Sequence, residues 1–237
     1  MGGLAQERYE QEFRAETGRF AAAAARHDPS AVVPACPEWT FRDLVAHVGS
    51  GHRYAAELIT SRTTEPVPVP KLDPPDQWGG WLVEGSELLL RAAREHGFDR
   101  PVWTWRPADR TAGFWVRRML HDEIIHRLDA DPAGPLAPEL AADGVADFLT
   151  TVATLAGHPR GMRLTGSGET LQFRATDHPG AWHVTLTPAG VEWRPGAAGA
   201  DETIEAPVRD LLLLLNRRVP PAAPGPLLAR WIAATKF

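Results

Sequence analysis

The stretch GFWVRRMLHDEIIHRLDAD, residues 113–131, decides how the chain is read. Its apolar spacing, closed by DADPAGP, predicts a helix over about 111–129. Within it His121, Asp122, Glu123, His126 and Arg127 are titratable, and only Ile124 and Ile125 separate them. A helix that must bury a face carries here a high density of groups that resist burial. Helical geometry sorts them. Successive residues are about 100° apart, so His121 and His126 stand about 140° apart and cannot readily share one ion. Asp122 and His126, at i and i+4, are about 40° apart and share a face with Trp115 and Met119. Glu123 and His126, at i and i+3, are also close. The helix therefore offers a carboxylate and an imidazole to one point, as helical metal sites do. The plainer alternative is a salt-bridge face on a solvated helix.

Upstream, residues 5–26 read as a helix ending in FAAAAARH. DPSAVVPACPEW (28–39) is a Pro-punctuated loop, and Thr40 with Asp43 caps a helix over about 41–61. His47 shares a helical face with Leu44, Gly51, Tyr54 and Leu58, so it should point inward. Taken alone, such a residue is more often a buried core histidine than a ligand. His52, after Gly51, is expected to face solvent. With His47 added, Asp122 and His126 make a set of two imidazoles and one carboxylate, which binds a divalent cation and leaves positions open. TTEPVPVPKLDPP (63–75) is a polyproline-like connector to a third helix over about 75–96, and 138–156 is a further amphipathic helix.

The period then changes. Residues 162–168, 169–176, 181–190 and 191–196 alternate and are broken by Gly and Pro, and 202–207 reads as one more strand. PVRDLLLLLNRR (207–218) and the last twelve residues are helices. The fold class is α+β in two domains: a helical bundle over 1–157 and a small domain with an antiparallel sheet over 158–237.

Composition narrows the function. With 43% hydrophobic residues the chain can bury a core. A formal charge of -5 and no basic stripe argue against nucleic acid. No apolar run is long enough to span a bilayer, and the first residues lack a secretory apolar core. Cys36 is the single cysteine, so no intrachain disulfide can form, and a cytoplasmic location is expected. Cys36, between prolines, is expected to be a packed small residue.

CPEWTFRDLVAHVGSGHRYA (36–55) and GFWVRRMLHDEIIHRLDAD (113–131) resemble the mycothiol-dependent maleylpyruvate isomerase family, among the DinB-like metal-binding bundles. DETIEAPVRDLLLLLNRRVP (201–220) resembles that family's C-terminal domain, which is related to sterol carrier proteins. The resemblance implies a DinB-like up-down four-helix bundle followed by a sterol-carrier-like α+β domain. It makes His47 and His126 metal ligands, with Asp122 where the family normally has Glu. Asp is one methylene shorter, so the helix sits closer to the ion, or Glu123 substitutes, or affinity is reduced. His121, Glu123 and Asp129 then surround the ligands, where a carboxylate can orient an imidazole.

The implied cofactors are a divalent metal, zinc above all, and mycothiol. The implied partners are this low-molecular-weight thiol and a small-molecule electrophile, with no nucleic acid or membrane and with the oligomeric state open. The implied chemistry is a metal-activated thiolate attacking the electrophile, as an S-transferase or a cis-trans isomerase. The chain itself then supplies no nucleophile. Arg217 and Arg218 are candidates to grip a carboxylate or the thiol cofactor, although cations also suit a helix C-terminus. Trp115 is a candidate pocket wall, although a bundle tryptophan is more often core. The competing classes are a metal-dependent hydrolase and a non-catalytic metal- or ligand-binding stress-response protein of the same fold.

Overall fold

The computed structural model describes residues 4–156, 158, 161–221 and 223–235. It divides into two compact units, the first being Leu4–Gly134. Four helices build this unit: α1 (Gln6–Ala24), α2 (Phe41–Ser61), α3 (Trp78–His96) and α4 (Ala112–Ala130). Thr40 caps α2 in a capping box: its hydroxyl accepts from Asp43 N, and Asp43 accepts from Thr40 N. Thr111 accepts from Phe114 N at the start of α4. Part of the core gathers Phe20, Phe41, Leu44, Val45, Val48 and Leu82. The α2–α3 approach is close because position 49 is glycine. A Cβ there would stand 2.0 Å from the Trp81 ring.

The Pro-punctuated stretch before α2 is not all loop. It holds β1 (Val32–Val33) and β2 (Cys36–Thr40), paired antiparallel. Three prolines mark its sequence as a turn, but the backbone still closes a short ladder, with Val32 opposite Thr40.

The second unit starts at Pro135. It contains α5 (Pro138–Ala156), β3 (Thr170–Ala175), β4 (Ala181–Thr187), β5 (Gly190–Pro195), β6 (Glu202–Ala206), α6 (Val208–Leu215) and α7 (Pro226–Ala234). The expected boundary at 157 is therefore displaced to 134. The change from helical to strand periodicity follows α5, yet α5 packs on α6 and β5. The sheet order is β5-β4-β3-β6. It is mixed rather than wholly antiparallel, because β6 runs parallel to β3. Residues 162–168, expected as a strand, form none; Gly166 N and Gly168 N donate to Thr187 O and Leu186 O beside β4. Phe173, Trp182 and Trp231 are fully buried here. The fold class is α+β. No helix of the described residues is long and apolar enough to cross a membrane.

The seam between α1 and α4 is polar. Arg127 Nε donates to Glu16 Oε2 at 2.5 Å, and both side chains are 1% exposed. One turn away, Thr17 Oγ1 donates to Glu123 Oε2 at 2.9 Å. His52 of α2 reaches the same oxygen at 3.6 Å and meets the Phe13 ring edge-on. His52 is thus buried, against the expectation of a solvent-facing residue. It lies five residues after His47, about 140° around α2, and that side faces α1 and α4.

Removing one partner of a buried ion pair strands the other charge. Arg127→Met is expected to cost about 3 kcal/mol of unfolding free energy in urea melts, while adding Glu16→Leu should recover most of it. Independent, additive losses would show that the pair does not hold the seam.

Candidate metal centre

Three donors from two helices converge at one edge of the first unit. His47 Nε2 of α2 stands 3.0 Å from Asp122 Oδ2 of α4. His126 Nε2, one turn further along α4, stands 3.9 Å from the same oxygen. All three atoms lie within 4.8 Å of one another. The two imidazoles meet edge-on at 4.9 Å. Neighbouring donors on a tetrahedral ion with ~2.1 Å bonds stand about 3.4 Å apart, and the distances here bracket that value. Two nitrogens and one carboxylate oxygen suit zinc or a related divalent ion. The donor set therefore fits a metal.

Two of the three donors are hydrogen-bonded from behind, and a tryptophan packs on both imidazoles. Asp129 Oδ2 lies 3.0 Å from His126 Nδ1, which turns Nε2 toward Asp122 and suits the tautomer that donates from Nδ1. Arg118 Nη2 donates to Asp122 Oδ1 at 2.9 Å. Trp39 of β2 packs on both imidazoles, 4.8 Å from His47 and 5.6 Å from His126. Cys36 Sγ donates to Asp129 Oδ2 at 3.7 Å. Cys36, His126 and Asp129 form a second cluster of converging donors, but it uses the His126 nitrogen that Asp129 already holds.

His47 does not point into the core as its helical face suggested. Its side chain is 43% exposed, with Asp122 at 21% and His126 at 9%. Leu44, Tyr54 and Leu58 on the same face are buried, but at position 47 the partners are Asp122 and Trp39 rather than apolar core. The donors are therefore reachable from solvent.

The other candidates separate. Glu123 is buried in the seam with Thr17 and His52, so Asp122 is the carboxylate that the structure brings to the imidazoles. His121 is buried and belongs to neither donor set. Trp115 is 3% exposed; its Nε1 donates to Trp103 O at 2.8 Å and its ring packs on Tyr54 and Phe114, so it is core. Arg217 and Arg218 follow α6 in the second unit. Arg217 adopts a φ of 62° and donates its N–H to Leu214 O, and Arg218 Nη1 donates to Asn216 O at 2.9 Å. Trp39 and Arg118 escape a reading based on ligand types. Arg118 was visible as the residue four before Asp122, a spacing that pairs opposite charges on a helix.

Electrostatics tie the donors together. Burial disfavours charge on Asp122, but His47, their hydrogen bond, His126 and Arg118 outweigh it and hold the carboxyl well below its usual range. Burial also pulls His47 down, yet Asp122 outweighs burial and Arg118 and raises the imidazole above 6.5. Burial pushes Glu123 up, further helped by Glu16 and opposed by His52 and Thr17.

The family described as mycothiol maleylpyruvate isomerase N-terminal domain matches residues 11–131, just over half of the chain. The chain belongs to this family. The matched span takes in His47, Asp122 and His126 and ends three residues short of the first unit's last residue. Among solved structures, a histidine-to-alanine variant of the mycothiol-dependent maleylpyruvate isomerase is similar, with 16% identity and a TM-score of 0.60. That likeness covers 92% of this chain and 93% of the other. A second structure of the mycothiol-dependent maleylpyruvate isomerase has 17% identity and a TM-score of 0.55, with the same coverage. At these identities the likeness establishes the fold. No curated protein matches significantly.

The raised His47 sets a sign. A histidine raised in the folded state contributes stability fully below about 6.5 and loses it as pH climbs through the folded value. The depressed Asp122 contributes above about 4 and loses its share on acidification. In chelator-treated protein, stability should therefore fall from pH 6 to 8, and His47→Ala should flatten that slope. An ion held through His47 Nε2 would need the imidazole neutral, so any stabilisation by added zinc should grow over the same range. Parallel melting curves for wild type and variant across this range would refute the coupling.

Proposed function

We propose that the first unit binds a divalent cation, zinc foremost, through His47 Nε2, Asp122 Oδ2 and His126 Nε2, and that the protein is a mycothiol-dependent enzyme. The observation that carries this reading is the convergence of those three atoms within 4.8 Å on a solvent-reachable edge. Family membership supports the thiol partner. When bound, such a cation lowers the pKa of a thiol in its open position and favours the thiolate as nucleophile toward a small electrophile.

The chain's own residues set up this chemistry. Asp129 holds His126 by its Nδ1. Trp39 limits the swing of both imidazoles by packing on them. The exposure of His47 leaves an approach for a thiol and a second substrate. No side chain of the site need act as nucleophile. Cys36, the one protein thiol, donates a weak hydrogen bond to Asp129 and is not one of the three converging donors. In this reading the reaction is isomerisation through a reversible adduct or transfer that keeps the adduct.

Metal content by mass spectrometry, followed by mycothiol turnover with a panel of small electrophiles, tests the proposal. Near-stoichiometric zinc is expected in the wild type and strong depletion in His47→Ala and His126→Ala. Free zinc at about 100 times Kd should add about 2.7 kcal/mol of stability to the wild type and far less to either variant. Wild-type protein that takes up no metal after supplementation would sink the enzyme reading. Metal uptake with neither mycothiol consumption nor mycothiol-dependent isomerisation of any electrophile would instead favour a metal-bound water as nucleophile.

A further inference from the structure

We infer that Arg118 is a positioning residue for the metal centre: it holds Oδ1 of Asp122 and so presents Oδ2 alone to the ion. This inference rests on the metal reading above. Asp122 is a short ligand whose carboxylate turns easily about its last torsion, with two nearly equivalent orientations. Left free, it could offer either oxygen, or both, to a cation. Arg118 sits four residues earlier on α4, and its Nη2 donates to Oδ1 at 2.9 Å. The other oxygen is the one that stands 3.0 Å from His47 Nε2 and 3.9 Å from His126 Nε2. Both partners are mostly shielded, at 24% and 21% exposure, so the contact is more than a solvated surface pair. The same division of labour recurs on the next turn, where Asp129 takes His126 Nδ1 and leaves Nε2 toward the site.

Arg118 has two opposing effects on a bound cation. Its charge repels the ion; a +1 and a +2 charge about 6 Å apart in water-like surroundings weaken binding about tenfold. Its hydrogen bond orders the ligand, and such supporting contacts are worth about 10–100-fold in affinity. The two effects differ in sign, so they can be told apart. If ordering dominates, Arg118→Ala binds zinc more weakly, by up to about tenfold after the charge relief is counted. Arg118→Lys, which keeps the charge and one donor, falls between the two. If the charge dominates, Arg118→Ala binds more tightly than wild type and Arg118→Lys matches wild type.

The experiment is zinc competition titration of the full-length protein against a chromophoric chelator, for wild type, Arg118→Ala, Arg118→Lys and Asp122→Ala. Cobalt(II) spectra of the same set report ligand geometry, and a shifted visible band in Arg118→Ala is expected. Melting of the chelated proteins shows whether each is folded; an i, i+4 pair of this kind is worth only a few tenths of a kcal/mol. Weaker zinc binding with an altered cobalt band in folded Arg118→Ala supports the inference. Unchanged or tighter binding there, with binding still lost in Asp122→Ala, overturns the inference and leaves the metal site standing. No zinc binding by wild type overturns both.

Discussion

The rotation of α4 about its own axis is the constraint on which the site depends. Arg127 cannot be buried without a partner, and Glu16 of α1 is that partner. One turn earlier, Glu123 accepts from Thr17 of the same neighbouring helix. These two contacts form a polar stripe along one side of α4. Turning the helix would take Arg127 from Glu16 and Glu123 from Thr17, leaving buried polar groups without these partners. With that stripe fixed against α1, the 3.6-residue period carries Arg118, Asp122 and His126 along a different line. That line meets His47 of α2. The high density of titratable residues in α4 is thus two separate polar stripes: one sealed inside the bundle, one open at its edge.

Much of this was legible in residue spacing. The i, i+4 relation of Asp122 and His126 predicts their shared face, whereas the supporting place of Asp129 came only from the family resemblance. The cap of α2 was equally readable, because Thr40 and Asp43 interact within one turn. What spacing could not supply was direction relative to other helices. His47 and His52 lie on one helix, five residues apart, and their exposures are the reverse of what their neighbours suggest. Periodicity identifies a face but not what lies opposite it. At His52 the opposite side is Glu123 and Phe13; at His47 it is Asp122 and Trp39.

The domain boundary escaped for a related reason. A change of period marks where strands begin, whereas a boundary lies where contacts thin out. Helix α5 is continuous in character with the four helices before it, and its apolar residues recur at the same spacing. Only its packing on α6 and β5 assigns it to the second unit. The parallel β6 was hidden likewise. Alternation in 202–206 announces a strand but carries no sign of its neighbour, and the chain passes to the far edge of the sheet, beside β3, before forming it.

Asp129 shows how β2 enters the site. Its Oδ2 accepts from both His126 Nδ1 and Cys36 Sγ, so one carboxylate on α4 is tied to the strand that carries Trp39. The charge-assisted bond to the imidazole is the stronger of the two, and the thiol, at 3.7 Å, is a weak donor. One carboxylate oxygen thus ties the imidazole that faces Asp122 to the strand whose tryptophan packs on that same ring, so a shift of β2 or of Asp129 would move His126 as well.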